Sequence, residues 1–308
     1  MNKRNEKIGK FWSAVSKQSE SNDLKLRWWQ SPLIIRHVNK LVEGEYSDGL
    51  SQGLVNKIKK NYGHLIPFKK GISVGCGNGQ KEINLIKQGI VEEFDLFELS
   101  QTRVNQGNAL IKKNSLANQM RYIKGNAFEI ITKPEQYDIV HWNNSLHHML
   151  NVFDSVKWSR DILKKGGLFY MDDFIGSSRF QWSDKQLEIA SRVRNVFCES
   201  KYVRDPDKNS SSGELNINLS RPDIEAMISG DPSEAADSER IIDAVGRYFH
   251  DVKIIKTGGV IYHLALSDMI NNFDEVEDRL ILDLLMLVDE LCIDLNETHY
   301  ATAIAIKN

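Results

Sequence analysis

Two groups of residues in this chain have types and spacing suited to chemistry. The first is Gly75-Cys-Gly-Asn-Gly79, directly after Ile72-Ser-Val74, together with the acid Glu98 further along. Glycines at alternate positions let the backbone take positive φ and lie against a ligand with no Cβ in the way. A carboxylate at the end of the next strand can accept both hydroxyls of a ribose. The spacing is G-x-G-x-G, whereas a nicotinamide dinucleotide site favours G-x-G-x-x-G with a pyrophosphate against the following helix. Glycine loop and acid together predict a seat for an adenosyl group; for the glycines alone, a purely structural turn is the competing reading. The second group is Ser145-Leu-His147-His148. An imidazole titrates near neutrality and can take a proton from a reacting group. Adjacent residues on a helix or turn diverge by roughly 100°, so one histidine can face a cleft while its neighbour cannot.

The elements that must hold these groups alternate along the chain. Strands are expected near Ile72–Val74, Phe94–Glu98, Met120–Lys124, Tyr137–Trp142 and Leu168–Asp172, with helices after Gly79, around Thr102–Asn114 and over Val152–Lys164. That order predicts a mostly parallel sheet with right-handed crossovers and a ligand above the carboxyl ends of the strands. Gly166-Gly167 reads as the turn into the fifth strand. Val252–Thr257 and Tyr300–Lys307 read as final antiparallel strands. Between them, Val276, Leu280, Leu284, Leu287, Val288 and Leu291 recur at helical spacing, as a core-facing stripe or else a homodimer surface. Four segments result: an N-terminal helical cap at 1–65, a nucleotide-binding core at 66–175, a helical insertion or lid at 176–248, and closing strands and helix at 249–308.

In order along the chain, Ser73-Val-Gly-Cys-Gly-Asn-Gly79, Glu98, Gly125-Asn-Ala127, Tyr137-Asp-Ile-Val140, Ser145-Leu-His-His148 and Leu163-Lys-Lys-Gly-Gly-Leu168 resemble the class I methyltransferase family. The resemblance implies a Rossmann-like seven-stranded α/β fold and S-adenosyl-L-methionine as methyl donor, with S-adenosyl-L-homocysteine as product. It assigns Gly75, Cys76, Gly77 and Gly79 to the methionine part, Glu98 with Leu99 to the ribose, and Asn126, Ala127 and Phe128 to the adenine. Ser73 and Asn126 depart from the family, which commonly has acids there. Asn126 keeps an oxygen for the adenine amine, and Glu82 is placed to supply the carboxylate missing at Ser73. Resemblance to sugar and natural-product O-methyltransferases favours His147 as general base, oriented by Asp173, with His148 structural. A weaker likeness, in the Trp28-Trp29 region, Asp172–Trp182 and Asp231-Pro-Ser-Glu-Ala235, is to bacterial enzymes of surface-polysaccharide or O-antigen methylation.

The 308 residues carry a formal net charge of −2, with charges of both signs mixed, so no basic field favours nucleic acid or an anionic membrane. The expected acceptor is a small molecule or carbohydrate. A nucleic-acid methyltransferase and a non-catalytic S-adenosylmethionine-binding partner subunit are the alternatives. Cys76, Cys198 and Cys292 are widely spaced, with no metal-ligand cluster, so no metal is called for and a reducing cytoplasm is expected. Neither a secretory leader nor an apolar run long enough to span a bilayer is read. Arg179, Trp182, Arg221 and Tyr262 are candidate acceptor contacts, and His263 reads as a core histidine.

Overall fold

The computed structural model describes residues 3–18, 27–205 and 213–308. Leu24, Leu26 and most of the expected polar loop at 205–213 lie outside them. Seven strands, β1 (Phe68–Val74), β2 (Val91–Glu98), β3 (Met120–Lys124), β4 (Tyr137–Asn143), β5 (Leu163–Phe174), β6 (Lys253–Gly258) and β7 (Tyr300–Ile306), form one sheet. Their order is β3-β2-β1-β4-β5-β7-β6. β1 to β5 pair in parallel, and β7 runs antiparallel to both of its neighbours. The two closing strands, expected to be antiparallel, pair antiparallel to each other, and of the seven only β7 runs against the direction of β1 to β5. Gly166 and Gly167 fall inside β5 rather than before it, because the strand starts at Leu163 and its register against β4 shifts between Tyr137 and Ile139.

The helices are α1 (Lys3–Gln18), α2 (Pro32–Glu43), α3 (Gln52–Tyr62), α4 (Gln80–Lys87), α5 (Gln101–Lys113), α6 (Ala127–Ile130), α7 (Val152–Ile162), α8 (Asp184–Val196), α9 (Ile224–Gly230), α10 (Ile241–Tyr248) and α11 (Arg279–Asp294). Strand alternation sends side chains to opposite faces. Val140, Trp142, Phe169 and Met171 pack on one face with Val152 and Val156 of α7. On the other, Ile139, Leu168 and Tyr170 pack with Leu54 and Ile58 of α3 and Ile83 and Ile86 of α4. With both faces covered, the inner strands read as near-continuous apolar runs. Ile241, Ala244 and Val245 of α10 are buried beside Trp142, so the tail of the 176–248 segment packs in the central core. A third cluster joins Trp28, Leu33 and Ile34 to Phe174, Trp182, Tyr262 and Leu282, tying the N-terminal segment to the insertion and to α11.

The expected inner stripe of α11 is overturned. Val276, Leu280, Leu284, Leu287 and Leu291 are exposed, and the helix buries Leu282, Leu285, Met286, Asp289 and Cys292 instead. This helix is apolar on more than one side, and an acid interrupts the side that is truly buried, so periodicity selected the wrong stripe. Asp289 accepts from the backbone N–H groups of Gly259 at 3.0 Å and Ile261 at 2.7 Å, fixing α11 to the chain after β6.

Burial raises the Asp289 carboxyl from 3.8 to about 7. A carboxyl with a raised folded-state pKa contributes fully to stability below its unfolded value and loses that contribution as pH rises through the folded one. Wild-type protein is therefore expected to lose stability between about pH 4 and about pH 7 relative to Asp289→Asn, by at most about 4 kcal/mol. Denaturant unfolding of both proteins across that range checks it; parallel curves would contradict the assignment.

Candidate active site

Sequential order reverses in the sheet between β1 and β4, which opens a crevice at their carboxyl ends. The glycine loop leaves β1 there. Gly75, Gly77 and Gly79 have φ of +67°, +60° and +73°, and a Cβ at Gly79 would lie 2.5 Å from the Tyr122 hydroxyl. That hydroxyl donates to the Gly77 carbonyl at 3.1 Å, supporting the loop from beneath. Cys76 is half-buried, and its thiol, which points to the Phe97 carbonyl, is pushed well up by burial.

Glu98 stands across from the loop, as its position at the end of β2 requires, but its oxygens are engaged. It accepts from Gly77 N at 3.0 Å, Leu99 N at 2.8 Å and Ser100 N at 2.8 Å. Burial raises its carboxyl despite nearby Arg103 and these amides. Glu82 sits where Ser73 leaves a carboxylate missing. Ser73 donates to Glu82 at 2.7 Å, His141 lies 3.0 Å from the same oxygen, and the second Glu82 oxygen is buried with no protein partner among the described residues. Asn126 does not keep its oxygen free: it caps α6 by accepting from Phe128 N at 3.1 Å. Ala127 is buried, and the Phe128 ring packs on Trp158 at 4.6 Å.

The N-terminal helix α1 closes over this end of the crevice, a contact that sequence reading missed. A Cβ on Gly9 would lie 2.6 Å from the Leu99 carbonyl oxygen, so only glycine allows this approach. Ser13 is hydrogen-bonded to Ser100 at 2.9 Å, and Trp12 packs under the Arg103 guanidinium at 4.1 Å and edge-on to His148 at 5.2 Å.

At the ends of β4 and β5 the structure brings His147 and Asp173 together. His147 Nδ1 lies 2.5 Å from Asp173 Oδ1, and Asp173, wholly buried, also accepts from Ser145 N at 2.8 Å, Leu146 N at 2.7 Å and Phe174 N at 2.9 Å. Burial alone would push Asp173 up, but the charge and hydrogen bond of His147, helped by the amides, hold it below the usual range. Burial likewise pushes His147 down, and the facing carboxylate outweighs it and raises the imidazole. His148 is driven well below its ordinary value by burial and by His147. Neighbouring Asp172 accepts from Ser51 at 2.7 Å and, with Trp28, Asn39, Asn144 and Tyr300, lines a narrow cleft beside the site.

The insertion adds residues that sequence spacing does not reveal. Glu234 Oε1 lies 3.6 Å from His147 Nε2, Ser233 is 3.2 Å from His148 Nδ1, and Asp231 Oδ2 is 3.9 Å from that nitrogen. Arg179 holds this loop by donating to the carbonyls of Glu234 and Pro232, both at 2.8 Å. It is thus a brace rather than an acceptor contact. Trp182 stacks on Phe180 and His299, Tyr262 is buried and donates to Thr257 O, and Arg221 pairs with Asp184 at the surface, so these three are structural. His263 belongs to the same aromatic cluster, where burial lowers it to about 3.

A methyltransferase domain family matches residues 72–171. The 27-O-demethylrifamycin SV methyltransferase of Amycolatopsis mediterranei (strain S699) is 26% identical over 136 residues, 43% of this chain and 48% of that protein. The chain thus spans about half the length of that relative. Among solved structures, geranyl diphosphate C-methyltransferase from Streptomyces coelicolor A3(2), bound to S-adenosyl-L-homocysteine, aligns with a TM-score of 0.57 at 12% identity, covering 100% of this chain and 99% of its own. The cyclase SpnF aligns at 0.53 and 12% identity over 98% and 96% of the two chains. Residues 72–171 accordingly match a methyltransferase domain, and the chain has the class I methyltransferase fold of these solved structures. Among the described residues, no helix is long and apolar enough to cross a membrane.

The closeness of α1 to Leu99 gives a direct test. Gly9→Leu is expected to lift α1 from the crevice, raising the dissociation rate of S-adenosylmethionine at least about tenfold, or about 1.4 kcal/mol, with little change in melting temperature. Stopped-flow measurement of cofactor release decides it; an unchanged rate would mean that α1 does not control access.

Proposed function

We propose that this chain transfers the methyl group of S-adenosylmethionine to a hydroxyl oxygen of a small-molecule acceptor, with His147 as the base and Asp173 as the group that orients it. The observation that carries the reading is the 2.5 Å contact between His147 Nδ1 and the buried Asp173, at the strand ends beside the glycine loop. With Nδ1 held by a carboxylate, Nε2 is the nitrogen left to receive a proton, the arrangement used wherever an acid fixes the tautomer of a basic histidine.

The chemistry is an in-line displacement. As the acceptor oxygen forms its bond to the methyl carbon, the bond from that carbon to the sulfonium breaks. The hydroxyl proton passes to His147 Nε2, and the sulfonium leaves as the neutral thioether of S-adenosylhomocysteine. Holding acceptor and methyl in line supplies most of the acceleration; proton removal adds roughly 10²–10⁴-fold. In this reading the donor lies along the loop from Gly75 through Cys76 and Gly77 to Gly79, and Glu98 turns from the loop amides to the ribose. The orphaned Glu82 oxygen suits the methionyl ammonium. Asn126, Ala127 and Phe128 flank the adenine, with the Asn126 cap retained.

An oxygen acceptor is supported by the relative whose substrate is 27-O-demethylrifamycin SV. The narrower reading, a sugar hydroxyl of a surface-polysaccharide precursor, draws on the likeness of the 172–182 and 231–235 stretches. The second of these carries Glu234 to within 3.6 Å of the proposed base, and carboxylates are natural partners for sugar hydroxyls.

His147→Ala is expected to lower kcat at least about 100-fold while S-adenosylmethionine affinity stays within about twofold. Titration of the cofactor followed by turnover on a panel of hydroxylated acceptors checks both. Cofactor binding without product on any acceptor would point to a binding role instead. Glu98→Ala is expected to weaken the cofactor at least about tenfold by calorimetry, and undiminished affinity would refute the ribose assignment.

A further inference from the structure

His147, His148 and Glu234 each place one ligating atom within 4.8 Å of the others. We propose that they form a binding site for a divalent transition-metal ion of the zinc and cobalt class, and that the ion takes the same His147 Nε2 lone pair that would otherwise accept the proton.

Three observations carry this beyond simple proximity. Each histidine has its Nδ1 turned toward an acid or hydroxyl: His147 to Asp173 at 2.5 Å, and His148 to Ser233 at 3.2 Å with Asp231 at 3.9 Å. Metal-ligating histidines are characteristically held through their other nitrogen in this way, which leaves Nε2 for the ion. The Glu234 carboxylate accepts no hydrogen bond among the described residues, its nearest cationic partner being His147 at 3.6 Å; a cation would meet its charge. Finally, the Asp231 side chain is buried and its Oδ2 has no hydrogen-bond partner among the described residues. That is an unanswered acceptor beside His148.

The donor set selects the ion. Two imidazole nitrogens and one carboxylate suit zinc, cobalt, iron or nickel, whereas magnesium and calcium prefer an all-oxygen shell. Zinc with three protein ligands keeps a fourth position for water or a substrate oxygen. The 3.6 Å between His147 Nε2 and Glu234 Oε1 is close to the separation expected of two ligands about 2 Å from a tetrahedral ion. Arg179 fixes the Glu234 loop by its backbone carbonyls, so the carboxylate is carried on a braced segment.

Sequence reading called for no metal because the carboxylate comes from the insertion, far along the chain from the two histidines. That the ion inhibits rests on His147 being the base; that the ion binds does not. The experiment uses the full-length chain freed of metal by chelator and titrated with Co²⁺, read by visible d–d absorption, then with Zn²⁺ in competition. Saturable bands displaced by Zn²⁺ are expected, with affinity at least about tenfold weaker in Glu234→Gln and about 10–100-fold weaker in Asp173→Asn. Absence of saturable bands, or unchanged Co²⁺ affinity in Glu234→Gln, would overturn the site. Glu234 is partly exposed, so its amide variant keeps the fold testable, and circular dichroism verifies that. In turnover assays Zn²⁺ is expected to inhibit and chelator to restore activity. Binding without inhibition would leave the site standing and overturn His147 as the base.

Discussion

A single buried carboxylate, Asp173, sets the geometry on which the rest of the site depends. A charge removed from water is tolerated only when its lone pairs are filled, and Asp173 fills them with His147 Nδ1 and the amides of Ser145, Leu146 and Phe174. Those bonds fix the turn after β4 against the end of β5. The same turn limits the glycine loop, because a Cβ at Gly75 would lie 3.1 Å from that of Ser145. The glycine loop, His147 and Asp173 are therefore one mechanical unit. The neutral alternative would leave four amides, those of Ser145, Leu146, His147 and Phe174, with a poorer acceptor, which is why the ion pair is held although it is fully enclosed.

The other half of the crevice is organised by Glu98 in an analogous way. Its carboxylate joins the loop after β1 to the start of α5 through Gly77, Leu99 and Ser100. With α1 laid over Leu99 and Trp12 between Arg103 and His148, the crevice is closed by the protein's own groups. A carboxylate that satisfies backbone amides in the closed form can exchange them for ribose hydroxyls at small net cost, since one set of hydrogen bonds replaces another. That end of the crevice is thus covered by α1.

The parts legible in the sequence were those written in local pattern. The β-branched runs, the alternate glycines and the acid at the end of β2 fix strand, turn and strand within one βαβ unit, and the parallel order of β1 to β5 follows from the alternation of elements. His147 and Asp173 were singled out by the resemblance, and the structure places His147 after β4 and Asp173 near the end of β5, with their side chains in contact. What could not be read depends on long-range placement. Glu234 and Asp231 reach the histidines only through the path of the insertion, α1 reaches the crevice through contacts of Gly9, Trp12 and Ser13 far along the chain, and the buried side of α11 shows only through a buried acid that no hydrophobic pattern rewards. Asn126, which the resemblance assigns to the adenine, also caps α6 through the same oxygen.

In the proposed reading, the insertion loop turns the His147–Asp173 pair from a simple base into a point of competition. A carboxylate beside an imidazole stabilises its protonated form, so Glu234 and Asp173 together favour a proton on His147. The same two acids stabilise any cation at that place, because the field they make does not distinguish a proton from a metal ion. What distinguishes them is geometry: a proton needs one lone pair, while an ion needs several ligands converging on it, and His148 with Glu234 supplies them. Arg179, by holding the Pro232 and Glu234 carbonyls, decides how closely that third ligand approaches. In that reading the insertion acts on the chemistry through one braced carboxylate, that of Glu234.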